Sequence, residues 1–306
     1  MPKTWFITGA SRGLGAELVR AVVRAGDQVV AGARDPKAIT DQLRRNNDQV
    51  LPVQLDVTDA AAARAAVDAA LSRFGAIDVL VNNAGYGHYG FFEELTIDDA
   101  KGQIATNLFG VLNVTWAVLP TMRAARKGRI FNLSSLGGLV GAQLASLYCA
   151  TKFAVEGFSE SLAKEVAPFG IHITIVEPGP FRTDFLTPRS LRLGQKRIAD
   201  YDDRRSALFA AVEERNGRQP GDPAKLAEAI VILTETDAPP LRFLAGSVAA
   251  NAVEAKLSRM RDELERWRQL SLSTDGNFDD DASVGSVMAQ IGPTDREGRL
   301  DAGAPK

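Results

Sequence analysis

The feature that most constrains this chain stands at its start. The run Thr4-Trp5-Phe6-Ile7-Thr8 leads directly into Gly9-Ala10-Ser11-Arg12-Gly13-Leu14-Gly15, and apolar residues then recur at helical spacing to about residue 25. A strand, a glycine-rich turn and a helix in immediate succession leave the backbone little freedom. Gly9 permits a tight turn, Gly13 lets another group approach the backbone, and Gly15 lets the helix lie close to the strand. The first N–H groups of the helix have no partner inside it and face the turn. Such a turn suits a phosphate-bearing ligand; an ordinary flexible turn is the alternative reading.

Beyond the turn, short runs rich in Val and Ile recur at residues 28–33, 50–55, 77–81, 129–133, 171–177 and 242–245. Strands buried on both faces carry such runs. The intervening segments 60–74 and 150–166 have helical spacing. This alternation predicts an α/β fold, a doubly wound parallel seven-stranded sheet flanked by helices. One catalytic domain is expected over residues 1–272. Within it, residues 184–221 are polar, hold no strand candidate, and are expected to form a helical excursion or lid. The segment 273–306 carries Asp279-Asp280-Asp281, several glycines and few large apolar side chains. It buries too little to offset its ordering entropy and is expected to be disordered. The stripe Val253, Leu257, Met260, Leu264, Trp267 is an amphipathic helix face, expected to pack on the body or on a sister subunit.

Composition excludes several classes. A net charge of -2 gives no basic surface for nucleic acid. No apolar stretch approaches the ~18 residues that suggest a membrane span. The single cysteine, Cys149, rules out an intrachain disulfide, and no signal peptide is evident, so a cytoplasmic setting is expected. Two histidines, His88 and His172, without a ligand cluster, argue against a metal site. His88 has a substrate-loop role as one reading and a plain loop position as the other. Cys149 reads as a small packing residue.

Three further segments carry chemistry. Asn82-Asn83-Ala84-Gly85 follows the fourth strand, at the sheet end where open α/β folds bind ligands. Tyr148 and Lys152 are four residues apart, on one face of a helix. A nearby cation favours the phenolate and brings a group of pKa about 10 towards working pH. Asn132-Leu133-Ser134-Ser135 ends the fifth strand with hydroxyls that can donate to an oxygen. Taken singly, each has a bland reading: a turn, a solvated helix face, a helix cap.

Together, in this order and spacing, the segments resemble the short-chain dehydrogenase/reductase family, with its TGxxxGxG, NNAG, serine and YxxxK motifs, over residues 3–270. Ser135, thirteen residues before Tyr148, matches the family's serine; Ser134 is one step off. The resemblance implies a Rossmann fold and a hydride transfer between a nicotinamide cofactor and a carbonyl or alcohol. Tyr148 is implied as general acid or base. Lys152 lowers its pKa and holds ribose hydroxyls, Ser135 binds the carbonyl oxygen, and Asn107 maintains a proton relay. Cofactor contacts are implied for Gly9, Ser11, Arg12, Gly13, Leu14, Gly15, Arg34, Asp56, Val57, Asn83, Ala84, Gly85, Tyr148 and Lys152. In Pro178-Gly179-Pro180-Phe181-Arg182-Thr183, the residues Pro178, Gly179, Phe181 and Thr183 are expected to grip the carboxamide.

More loosely, the chain looks like bacterial members related to the 17β-hydroxysteroid dehydrogenase type 1 branch. Two other readings stay open: an epimerase or dehydratase on the same fold, and a regulatory protein that binds NADP without turnover. For the cofactor, NADP(H) is expected over NAD(H). The second strand reads as ending at Ala33, so the acid that holds a ribose 2′-hydroxyl is missing there, and Arg34 follows with Arg12 as a second cation. A strand two residues longer would put Asp35 in the acid's place and favour NAD. Tyr86, Phe91, Phe92, Leu144, Phe181 and Phe185 are expected to line an apolar pocket for an apolar or aromatic substrate. A homodimer or homotetramer is expected.

Overall fold

The sheet runs β3-β2-β1-β4-β6-β7-β9 with every neighbouring pair parallel. Its strands are β1 (Thr4–Thr8), β2 (Gln28–Ala33), β3 (Val50–Gln54), β4 (Val79–Asn82), β6 (Gly128–Leu133), β7 (Ile171–Pro178) and β9 (Arg242–Ala245). The structure is a computed structural model that describes residues 2–39 and 48–276. The chain lays strands outward from β1 to β3, then returns to add β4 on the other side. That reversal opens a crevice beyond the carboxyl ends of β1 and β4, the position at which such sheets bind ligands.

Alternation along β1 explains why the sheet is sandwiched. Trp5 and Ile7 point to one face and Phe6 to the other, all fully buried. On the first face Leu18, Val19 and Val22 of α1 (Gly13–Arg24) pack with Leu226, Ala227 and Ile230 of a later helix, Pro223–Glu235. On the second face lie α2 (Ala60–Phe74), α4 (Gly110–Ala125) and α5 (Ser146–Val166). α2 is capped by Asp59, which accepts from the Ala61 and Ala62 amides, and ends at Gly75 with φ 81°. α3 (Ile97–Ile104) starts with a reciprocal cap between Thr96 and Asp99. It runs through a π-helical turn, Ala105–Phe109, into α4. This continuous run, Ile97–Ala125, is long and apolar enough to cross a membrane by length and composition alone, which sequence inspection did not anticipate. Here Val114, Val118 and Met122 bury one face of it in the core.

The stretch 184–221 is an excursion, but it does contain a strand. Leu191–Leu193 (β8) pairs in parallel with Gly87–Tyr89 (β5), followed by α6 (Asp202–Arg215) and then α7 (Pro223–Glu235). Three residues are too few to show a strand period, which is why the sequence hides it. A buried Arg205 on α6 binds Glu94 and so fixes the excursion to the turn Phe92–Glu94.

Contacts divide the chain into a body, Met1–Glu254, and a second unit beginning at Ala255. In that second unit the last helix, α8 (Ser247–Leu272), continues and ends in a short turn; Leu257, Met260, Leu264 and Trp267 are exposed along it. Of the segment expected to be disordered, residues 277–306 lie outside the described residues.

Two glycines give opposite expectations. A Cβ on Gly15 would stand 2.2 Å from the Gly9 carbonyl oxygen, whereas one on Gly157 meets nothing within 4 Å. We expect Gly15→Ala to lower stability by about 1–3 kcal/mol through overpacking. Gly157→Ala, inside α5, should instead raise it by about 0.4–1 kcal/mol. Urea unfolding midpoints check both signs.

Candidate functional site

The six strands from β1 to β7 in the main sheet each deliver one turn to the crevice, and the turns enclose a cavity of about 820 Å³. β1 hands over Gly9, Ser11, Arg12, Gly13, Leu14 and Gly15; β2 hands over Arg34; β3 hands over Asp56 and Val57; β4 hands over Asn83, Ala84 and Gly85. From β6 and α5 come Ser135, Tyr148 and Lys152, and from β7 Pro178, Gly179, Phe181 and Thr183. Every catalytic or cofactor residue expected from the sequence therefore lines this one cavity except Asn107.

The glycine turn is shaped for a close ligand. Gly9 and Gly13 have φ 64° and 52°, a region that L side chains rarely occupy. At the N-terminus of α1 no side chain caps the helix, so its leading N–H groups remain available to an anion. The turn is braced from behind. Thr8 Oγ1 accepts from the Asn83 and Ala84 amides at 3.0 Å each, and Asn83 Nδ2 donates to the Thr8 and Gly9 carbonyls at 2.9 and 3.1 Å. The second asparagine-bearing turn thus acts first as scaffold. A bare cradle held in this way fits a dinucleotide pyrophosphate.

On the facing wall the catalytic candidates converge. Ser135 and Tyr148 line the cavity together, and Ser135 Oγ accepts from the Gly137 amide at 3.0 Å, which fixes the hydroxyl. Ser134 also lines the cavity, but its buried hydroxyl has no partner. Tyr148 is boxed between Tyr89 and Phe185, with ring centroids 6.2 and 5.6 Å away. Lys152 Nζ donates to the Leu133 carbonyl at 2.6 Å and lies 5.8 Å from the Tyr148 ring centroid.

The electrostatics differ from expectation. Burial, not the lysine, dominates Tyr148 and pushes its phenol well above the ordinary range; Tyr89 adds to the rise, and the Ser135 hydroxyl opposes it. Burial also draws the Lys152 ammonium down to about 8, with the Glu156 carboxylate opposing. Tyr148 is therefore held as the neutral phenol.

Other residues fall in unexpected places. Asn107 sits in the π-helical turn behind the cavity wall. Its Nδ2 donates to the Tyr86 carbonyl at 2.9 Å and to Thr151 Oγ1 at 3.2 Å, and its Oδ1 accepts from the Tyr86 amide at 3.1 Å. Arg12 lines the cavity, yet its Nη2 donates to the Arg189 carbonyl at 2.7 Å and Ser190 Oγ at 2.9 Å, so its guanidinium is engaged by the excursion. Asp56 Oδ1 accepts from the amide and hydroxyl of Thr58. Of the expected apolar lining, Tyr86, Phe181 and Phe185 are present. Phe91 stacks on Tyr201 instead, Phe92 is exposed, and Leu144 is buried away from the cavity. His88 is buried beside Asp99, at 3.6 Å, and does not line the cavity. Sequence reading missed Tyr89 and Arg192, which stacks on Tyr86 at 4.6 Å. Both lie on the short parallel pair β5–β8, the element that has no sequence signal.

The family model described as short chain dehydrogenase matches residues 3–193. Oxidoreductase BOA17 of Botryotinia fuckeliana (strain B05.10) is 40% identical over 275 residues, 90% of this chain and 100% of that protein. The crystal structure of a short-chain dehydrogenase from Streptomyces avermitilis superposes with a TM-score of 0.83 at 38% identity, covering 90% of this chain and 100% of that one. A gluconate 5-dehydrogenase from Burkholderia cenocepacia J2315, solved with NADP and tartrate, has a TM-score of 0.67 at 28% identity, with 81% and 95% covered. A short chain dehydrogenase/reductase from Burkholderia phymatum, solved with NAD, has 0.72 at 26%, with 87% and 95% covered.

Arg12 ties the glycine turn to a backbone carbonyl of the excursion. Arg12→Ala should therefore loosen residues 189–192 and speed tryptic cleavage after Arg189 and Arg192 several-fold, with unfolding of the body unchanged. Mass-resolved limited proteolysis reads this; an unchanged cleavage rate contradicts it.

Proposed function

The chain belongs to the short-chain dehydrogenase/reductase family, and from that premise we propose an NADP(H)-dependent oxidoreductase that interconverts a ketone or aldehyde and a secondary or primary alcohol, with Tyr148 as general acid and base. The observation that carries this reading is the convergence of Ser135, Tyr148 and Lys152 on the cavity that the glycine turn closes. When bound, the nicotinamide supplies or accepts the hydride. Tyr148, kept protonated by burial, gives its proton to the carbonyl oxygen in reduction and takes it back in oxidation. Ser135, fixed by the Gly137 amide, offers its hydroxyl to that oxygen as charge develops. Lys152 presents its ammonium to the ribose hydroxyls. Asn107 holds the Tyr86 backbone and positions the wall of the site. Tyr89 and Phe185, flanking Tyr148, favour an apolar or aromatic substrate.

For the cofactor, β2 ends at Ala33, and Arg34 follows on the cavity lining. Asp35 is used elsewhere: its Oδ1 accepts from the Lys37 amide at 3.0 Å, as a helix-starting residue does. This supports a 2′-phosphate on Arg34, and Arg12 adds positive charge nearby: its guanidinium pKa is lowered first by burial, then by Arg34. Likeness to the 17β-hydroxysteroid dehydrogenase type 1 branch, a homodimer or homotetramer, and a cytoplasmic setting belong to the same reading.

NADPH-linked reduction of a carbonyl panel, followed at 340 nm, tests it. We expect kcat/KM to favour NADPH over NADH. In Arg34→Ala that ratio should fall by about tenfold or more, the worth of a charge-assisted hydrogen bond. A wild type that prefers NADH, or an unchanged ratio in Arg34→Ala, refutes the cofactor assignment. Ser135→Ala should cost about 10²–10³ in kcat, and Ser134→Ala far less.

A further inference from the structure

A buried acidic cluster lies behind the catalytic lysine. Glu156 is one helical turn beyond Lys152 on α5 and is buried, and Glu177 on β7 is fully buried. Arg242 of β9 donates through Nη1 to Glu156 Oε2 and, at 2.9 Å, to Glu177 Oε1; its Nη2 reaches Glu160 Oε2 at 2.7 Å. Glu160 is exposed, but Glu156 and Glu177 are two buried carboxyls on one guanidinium, and an unpaired charge in such a place is costly.

The unpaired oxygens show how the excess is resolved. Glu156 Oε1 and Glu177 Oε2 are both buried and both lack a partner. A single proton held between the two carboxyls satisfies both atoms at once. Burial and the neighbouring Glu156 charge raise the Glu177 carboxyl, so Glu177 is the one that keeps that proton.

Lys152 needs such a neighbour. Its ammonium is buried, and its hydrogen bond goes to a neutral carbonyl, that of Leu133 on β6. The ionisable groups facing it and the cluster are Tyr148, Glu156 and Glu160 on α5, Glu177 on β7 and Arg242 on β9. The turn after β4 approaches it with Gly85, which carries no charge. Among these groups Glu156 is the one whose charge raises the Lys152 pKa against burial.

We propose that the Glu156 carboxylate, fixed by Arg242 and by a proton shared with Glu177, is the counter-ion that keeps the Lys152 ammonium charged. Glu156 is then a positioning residue, and the inference rests on the role given to Lys152 above. The sign follows directly. Lys152 loses its charge as pH rises through its pKa, and removing Glu156 moves that loss to lower pH.

The test is the pH dependence of the NADP⁺ dissociation constant, read by protein fluorescence without turnover, beside the pH profile of kcat/KM. In Glu156→Gln the alkaline limb of both should move down by about one unit or more, a roughly tenfold weaker affinity above the limb. Glu177→Gln, whose amide still donates to Glu156, should leave the limb in place. If Glu156→Gln alone does not fold, the double variant Glu156→Gln/Arg242→Met removes the charge without stranding the guanidinium and should show the same shift. An unmoved or raised limb in the folded variant overturns the inference and leaves the dehydrogenase reading intact. A wild type with no alkaline limb overturns it as well. A wild type that neither binds the dinucleotide nor reduces a carbonyl overturns both.

Discussion

The contact between Gly15 and the Gly9 carbonyl is the constraint on which the site depends. It is so close that no side chain fits between helix and turn. This closeness sets α1 against β1 and turns its free N–H groups towards the crevice. Asn83 and Thr8 then lock the same turn to the end of β4. The reversal of strand order between β1 and β4 is thus made rigid by a small set of hydrogen bonds. Everything that approaches the cavity from the other strands does so against this fixed reference.

Burial does the rest of the electrostatic work. Tyr148 and Lys152 are both pushed towards their neutral forms, the phenol up and the ammonium down. A protonated tyrosine is what the reductive direction needs at the start. A lysine that binds hydroxyls needs its charge, so it requires an acidic neighbour. The two requirements meet on one helix: lysine stands four positions after tyrosine, and Glu156 four positions after lysine. Ser135 enters from the end of β6, which is how a buried phenol and a fixed hydroxyl come to share one wall.

The sheet and the glycine turn were legible in the sequence because they rest on local patterns. Apolar runs mark buried strands, and a glycine-rich turn between strand and helix has few other uses. The motifs that line the cavity were legible because each sits at a strand end. What escaped has physical reasons. β5 and β8 are three residues each, too short to show alternation, so Tyr89 and Arg192 went unread. The engagement of Arg12 by the Arg189 carbonyl joins residues far apart in sequence, and a backbone acceptor carries no side-chain signal. The run Ile97–Ala125 hides its continuity behind Asp98, Asp99 and Lys101 at its start. Glu156, Glu177 and Arg242 carry no sequence signal of their pairing, since such residues are seldom buried unless paired and the pairing exists only in the fold.

The central claim is that Tyr148 carries the proton while the rest of the site binds and orients. The most direct measurement sets NADPH binding beside single-turnover reduction in Tyr148→Phe, which keeps the ring between Tyr89 and Phe185 and removes the hydroxyl. The account predicts a dissociation constant for NADPH close to that of the wild type and a reduction rate lower by at least about 10²-fold, the loss typical of a general acid. A folded Tyr148→Phe protein that reduces its substrate at near the wild-type rate would contradict it.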